Sequence, residues 1–267
     1  MKKILSLLLV FTMLFSLAFV FSCNENDDGN DTKPEEPKVA VARAVAKTNA
    51  LNEYEAKSEI TMDMEISVMG TKTTMQVPMS TTIKIKGADT QNPEVYTEIE
   101  MTMMGETINQ TIYLKDGWSY NFDGEDGYKT EADDAEDYKE TLKEMIKDIP
   151  VSLLENLSFE EVENGQKVTI SIPNETFAQI FDDMIDGLTE SYGSDMDVII
   201  SNAVVSIVIN DGYIVSYNME FDMEMEMDMD GITAEATAHV VSTTTITNPG
   251  QAVTIVPPQD YESYPEL

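Results

Sequence analysis

The chain has 267 residues, 42% of them apolar, with 16 basic and 50 acidic side chains and a formal charge of −34. A surface this anionic excludes nucleic-acid binding, which needs Lys and Arg to displace counterions from phosphates, and it repels anionic lipid headgroups. One cysteine and one histidine exclude a disulfide framework and a Cys-based zinc site.

In chain order, Lys2 and Lys3 precede an apolar run, residues 4–21, broken only by Ser and Thr. That is the layout of an export signal. The run ends in Val20-Phe21-Ser22-Cys23, with a small residue immediately before the cysteine, and this resembles a lipobox. The resemblance implies cleavage after residue 22, a diacylglycerol thioether on Cys23, and attachment of the mature chain to a bacterial membrane, the outer face of the cell membrane being the expected site. The alternative is an uncleaved anchor helix, since about 18 apolar residues can just span a bilayer. Both readings place the remainder of the chain outside the cytoplasm. Loss of Lys2 and Lys3 with the signal would take the formal charge to −36.

Residues 23–37 carry the cysteine and an acidic stretch with no other apolar side chain. Such a stretch cannot bury anything and reads as a disordered spacer. Asn24, Asn26, Asp28, Gly29 and Glu35 fall near the spacing of a calcium loop, but the first position is not Asp. Acidic low-complexity tracts generate such matches by chance.

Residues 38–257 read as one domain, succeeded by a tail at 258–267. Val39, Ala42, Val45, Ala46 and Ala50 recur at helical spacing after Pro37, which predicts an opening amphipathic helix. The period then changes to two. Ile60, Met62, Met64, Ile66 and Val68 form one strand, and Met69-Gly70 turns it into Met75, Val77, Met79, Ile83 and Ile85, where Pro78 points to an edge or bulge position. Further strands come at Val95–Met103, Ile108–Leu114 and Trp118–Phe122, the last after Asp116-Gly117. Residues 133–147 and 177–188 space apolar side chains as second and third helices. Asn164-Gly165 between two short strands is a hairpin signal. Finally Val205, Ile207 and Ile209 lead through Asp211-Gly212 into a strand whose odd positions from Tyr213 to Met229 are all apolar and whose even positions from Asn218 to Asp228 are polar.

The chain has 18 methionines, and many fall on the apolar phase of these strands, where β-branched and aromatic residues are usual. Methionine is unbranched and polarizable and adapts to variable apolar partners. Met62, Met64, Met75, Met79, Met101, Met103, Tyr217, Met219, Phe221, Met223 and Met225 are therefore expected to line an apolar ligand cavity; a filled core is the alternative. Copper binding by Met-x-Met pairs is disfavoured, since the methionines spread over several strands and His239 is out of phase with Ala234, Ala236 and Ala238. No metal or other cofactor is expected. No nucleophile-elbow or phosphate-loop motif occurs, so the chain reads as a non-enzyme.

A lipidated N-terminus, an opening helix, a long meander with inserted helices and a final pair of long strands resemble the bacterial lipoprotein-carrier superfamily that includes LolA, LolB and the mycobacterial lipid-carrying lipoproteins. The layout also resembles Gram-positive membrane-anchored lipoproteins, through the stretch Tyr113-Leu114-Lys115-Asp116-Gly117-Trp118. The resemblance implies an α+β fold: a strongly curved antiparallel β-sheet, an incomplete barrel of about eleven strands, covered by about three helices with a lipid or other apolar ligand held between. The chain departs from that group in its acidity and in having Arg43 as its only arginine. A second reading is an envelope or surface protein that acts through protein partners.

Overall fold

The structure, a computed structural model, describes residues 37–88, 90, 92–103, 105–124, 126–131, 157–174, 196–229 and 232–266. Among these are one α-helix, α1 (Pro37–Asn49), and eleven strands: β1 (Glu53–Val68), β2 (Thr71–Lys86), β3 (Glu94–Met103), β4 (Glu106–Lys115), β5 (Trp118–Phe122), β6 (Gly127–Glu131), β7 (Leu157–Val162), β8 (Gly165–Ser171), β9 (Met196–Asn210), β10 (Tyr213–Met229) and β11 (Ile232–Thr247). The about three helices expected from the sequence are not met among the described residues; the stretches 133–147 and 177–188 lie outside them, as does Cys23.

All eleven strands form one sheet in the order β6-β5-β4-β3-β2-β1-β11-β10-β9-β8-β7. Every neighbouring pair is antiparallel. Two meanders, β1 to β6 and β7 to β11, are thus joined where β1 pairs with β11, in register from Glu55↔Thr247 to Val68↔Ala234. The sheet is not closed into a barrel, because β6 and β7 remain as edges. The core residues collect on one face of this sheet, its inner face.

Local turn chemistry explains the hairpins. Met69-Gly70, Asp116-Gly117 and Asp211-Gly212 each have two consecutive positive φ angles, 50° and 80°, 52° and 79°, 51° and 75°. Two left-handed residues match the twist of the flanking strands. Asn164-Gly165 behaves differently. Val162 pairs with Gly165, so the turn residues are Glu163 and Asn164, and Gly165 already belongs to β8. Its glycine is needed there: φ is +130°, and a Cβ would lie 2.1 Å from the Ile209 carbonyl oxygen.

Pro78 sits one residue before β2 begins to pair with β3 at Met79↔Met101, so β2 has a free side at that point, as a residue without an N–H requires. The helix face differs from the sequence reading. Val41, Ala44, Val45 and Thr48 are buried, whereas Ala42 is half-buried and Ala46 and Ala50 are exposed. Two valines bury more apolar surface than alanines at the same spacing, and Thr48 adds a specific bond. Its Oγ1 donates to the Ala44 carbonyl at 2.7 Å and accepts the Ile214 N–H at 2.9 Å. Lys47 Nζ caps this contact, donating to the Asp211 carbonyl at 2.7 Å and lying 3.8 Å over the Tyr213 ring.

The C-terminal residues dock on the far edge. Lys129 N–H donates to the Pro265 carbonyl at 2.8 Å. Tyr261 meets Tyr113 and Tyr120 edge-on, with centroids 5.0 and 4.8 Å apart, and Tyr264 stacks on Phe122. This strap covers β6, an otherwise open edge.

Candidate functional site

The long central strands put alternate side chains on opposite faces, and the inner face collects the methionines. Met62, Met64, Met79, Met101, Met219, Phe221, Met223 and Met225 are buried in one apolar cluster together with Tyr217; Met75 and Met103 are half-buried against it. Register brings them into cross-strand rows. Ala238 pairs with Met64 on one side and Met223 on the other, and Met64 pairs in turn with Met75. Ala236 stands likewise between Ile66 and Met225. Small side chains on β11 leave room that long, flexible methionines from both flanks occupy. The opposite end of the same face receives Val41, Ala44 and Val45 of α1, which packs on β10 and β7.

Beside the methionines the inner face changes character. Thr81, Ser58, Thr244 and Tyr217 face one another across β2, β1, β11 and β10 and are all buried. Ser58 Oγ and Thr244 Oγ1 are hydrogen-bonded at 2.7 Å. Burial pushes the Tyr217 phenol up to about 12, and its hydrogen bond with Thr244 partly offsets that. Apart from the tyrosine phenols, every buried polar side chain among the described residues is a serine or threonine. Sequence periodicity passes over this hydroxyl row, because serine and threonine on an inward phase read simply as interruptions.

Two bulges set the phase of the longest strands. β10 gains a residue between Ile214 and Ser216, and β9 gains one opposite Glu220 and Asp222. The first turns Ile214 inward, buried, and leaves Tyr213 and Val215 half-buried, which corrects the uninterrupted odd-position alternation read from the sequence. The second centres on Asn202, whose φ is +56°.

The outer face is acidic and polar. One register row runs Gln76, Asp63, His239, Asp222 and Ser201 across β2, β1, β11, β10 and β9. His239 Nδ1 lies 2.8 Å from Asp222 Oδ1 and Nε2 lies 3.6 Å from Glu220 Oε1. Asn202 Nδ2 donates to Asp222 Oδ2 at 2.7 Å and Gln76 Nε2 to Asp63 Oδ1 at 2.8 Å. The Asn202 amide and then the His239 ring hold the Asp222 carboxyl below its ordinary range. A shallow groove of about 750 Å³ runs along this row and the next, lined by Asp63, Glu65, Asp222, Glu224 and His239 and floored by the Met75, Met64, Ala238 and Met223 positions between the two rows. Among the described residues no group of three or more His, Cys, Asp or Glu side chains could hold a metal ion, and no helix is long and apolar enough to cross a membrane.

No protein-family model matches the chain, and no curated protein matches it in sequence. Solved structures similar to it include LprF from Mycobacterium bovis, at 13% identity and a TM-score of 0.39 over 83% of this chain and 96% of that one. A DUF1329 family protein from Desulfovibrio piger is similar at 9% identity and a TM-score of 0.23, over 81% and 92% of the two chains. The ywiB protein from Bacillus subtilis is similar at 8% identity and a TM-score of 0.19, over 72% and 95%. At these scores and identities the likenesses carry no functional argument.

Proposed function

We propose that this chain is a lipoprotein tethered outside the cytoplasm through Cys23, with no enzymatic activity, whose sheet holds a lipid or other apolar molecule against its inner face. The observation that carries the reading is the Met-Ala-Met arrangement of that face. Met64, Ala238 and Met223 pair directly, with Met75 beyond, at positions where strands ordinarily place β-branched residues that pack in one way. A surface of methionines deforms around a guest at small cost. The tether rests on the sequence resemblance at Ser22-Cys23, and the anionic outer face would keep the body off the bilayer that the anchor holds.

Two readouts on the full chain test this. Labelled fatty acid is incorporated into the protein, and Cys23→Ala abolishes that incorporation; incorporation that survives Cys23→Ala contradicts the tether. A photoactivatable fatty acid labels peptides from β10 and β11; labelling confined to other peptides contradicts the inner-face site.

A further inference from the structure

Among the described residues, the inner face contains one orphaned side-chain oxygen. Ser242 is fully buried, and among the described residues its Oγ is the buried side-chain atom with no hydrogen-bond partner. Leaving a buried hydroxyl unpaired forfeits its hydration with nothing in return, so native cores rarely do so without a reason. Ser242 pairs in register with Ile60 on β1 and Met219 on β10. That position is the boundary where the methionine rows give way to the hydroxyl row of Thr81, Ser58, Thr244 and Tyr217. The neighbouring hydroxyls do not turn to it: Ser58 and Thr244 satisfy each other, and Tyr217 is bonded to Thr244.

We propose that Ser242 Oγ is the polar anchor of the apolar-ligand site, and that the ligand it selects is an uncharged amphiphile with an ester or hydroxyl oxygen, of the monoacylglycerol type. This rests on the carrier reading. The buried polar side chains among the described residues include no Lys, Arg or His. An ionised carboxylate or phosphate brought to Ser242 would be buried without a counter-charge, at a desolvation cost that one serine does not return. A neutral ester or hydroxyl needs only one bond, and a serine hydroxyl has one proton to give and lone pairs to accept with. The alkyl chain would then lie over Met62 and Phe221 and on to Met64 and Met223, the two register rows beyond Ser242 on the methionine side.

The test presents photoactivatable monoacylglycerol and fatty acid of equal chain length, at neutral pH, to membranes carrying the full chain, and maps the labelled peptides. Monoacylglycerol should label β10 and β11 peptides in preference to the acid. Ser242→Ala should lower monoacylglycerol labelling about fivefold, the loss of one hydrogen bond, leaving acid labelling unchanged, and Ser242→Thr should retain it. Ser242→Ala adds no volume and removes an unpaired group, so its melting temperature should hold or rise, which separates lost binding from lost fold. Equal labelling of wild type and Ser242→Ala by both probes overturns the anchor and leaves the carrier reading standing. Absence of inner-face labelling by either probe overturns both.

Discussion

Ser58 Oγ and Thr244 Oγ1 lie 2.7 Å apart although 186 residues separate them, and their bond spans the one seam that joins the two meanders. Ser58 is on β1 and Thr244 on β11, whose pairing turns two separate antiparallel ribbons into a single sheet. Thr244→Val keeps the shape but leaves Ser58 without its partner and removes the bond to Tyr217. It should destabilise the protein by about 1–3 kcal/mol in urea unfolding. The double variant Ser58→Ala with Thr244→Val should recover part of that loss, since no orphan remains on β1; strict additivity would argue that the pair is not coupled.

Gly165 makes a sharper demand on its residue type. With φ at +130° and the Ile209 carbonyl 2.1 Å from any added Cβ, Gly165→Ala must push β8 away from β9 or twist the backbone out of its well. A loss of more than about 2 kcal/mol is expected by denaturant titration. A change within about 0.5 kcal/mol would mean that β8 and β9 leave room for a side chain at this position.

Asp222 links stability to acid. Its carboxyl is held below the ordinary range by Asn202 and His239, so the folded state favours the ionised form more than the unfolded state does. The contribution is present above the unfolded carboxylate value and is lost as pH falls through the lowered folded value. Asn202→Ala should therefore flatten the acid limb of the stability profile: the pH-dependent part of its cost falls at neutral pH, where it is small because the site is open to solvent, and vanishes in acid. Superimposable acid limbs in chemical denaturation would show that Asn202 does not bear on that ionisation.

Tyr217 acts at the other end of the scale. Burial raises its folded value from the ordinary 10.0 to about 12, so its stabilising contribution is complete below the unfolded value and disappears as pH rises through the folded one. Between those values the wild type should lose stability with a slope of up to about 1.4 kcal/mol per pH unit from this group. Tyr217→Phe should remove that increment from the slope. An unchanged slope would place the phenol in contact with water.

The C-terminal strap offers a local test. Replacing Tyr261 and Tyr264 by Ala removes the edge-on contacts to Tyr113 and Tyr120 and the stack on Phe122. Amide exchange should then accelerate in β5 and β6, while the β1–β11 seam stays protected. Uniform acceleration over the whole sheet would show instead that the strap supports global folding.

Much of the sheet is legible in the sequence because a strand with one wet face must alternate, and β1, β2, β3 and β10 do so over long runs. Met-Gly and Asp-Gly pairs mark their turns for the same local reason, a left-handed pair being cheapest where Gly supplies one member. Features that depend on a partner distant in sequence escape. The inward face of α1 differs from its hydrophobic spacing because Thr48 is chosen by Ile214 on β10. The bulges at Ile214 and Asn202 leave no mark in a two-residue period, and Gly165 looks like a turn residue because its close neighbour, Ile209, lies on another strand. For the same reason the methionine face is visible as composition, while the row of buried hydroxyls beside it is not. Ser58, Thr81 and Thr244 become a feature only when β2, β1 and β11 are laid side by side.

Whether the methionine face holds a guest is tested most directly by native mass spectrometry with lipid extraction of the full chain, purified from bacterial membranes in mild detergent. The expected result is a stoichiometric mass beyond that of the protein and the thioether lipid proposed on Cys23, released on activation and recovered as an uncharged amphiphile. A chain that emerges without such a mass, and takes up none when offered a fluorescent acyl probe, would contradict the carrier reading and make the methionines ordinary core.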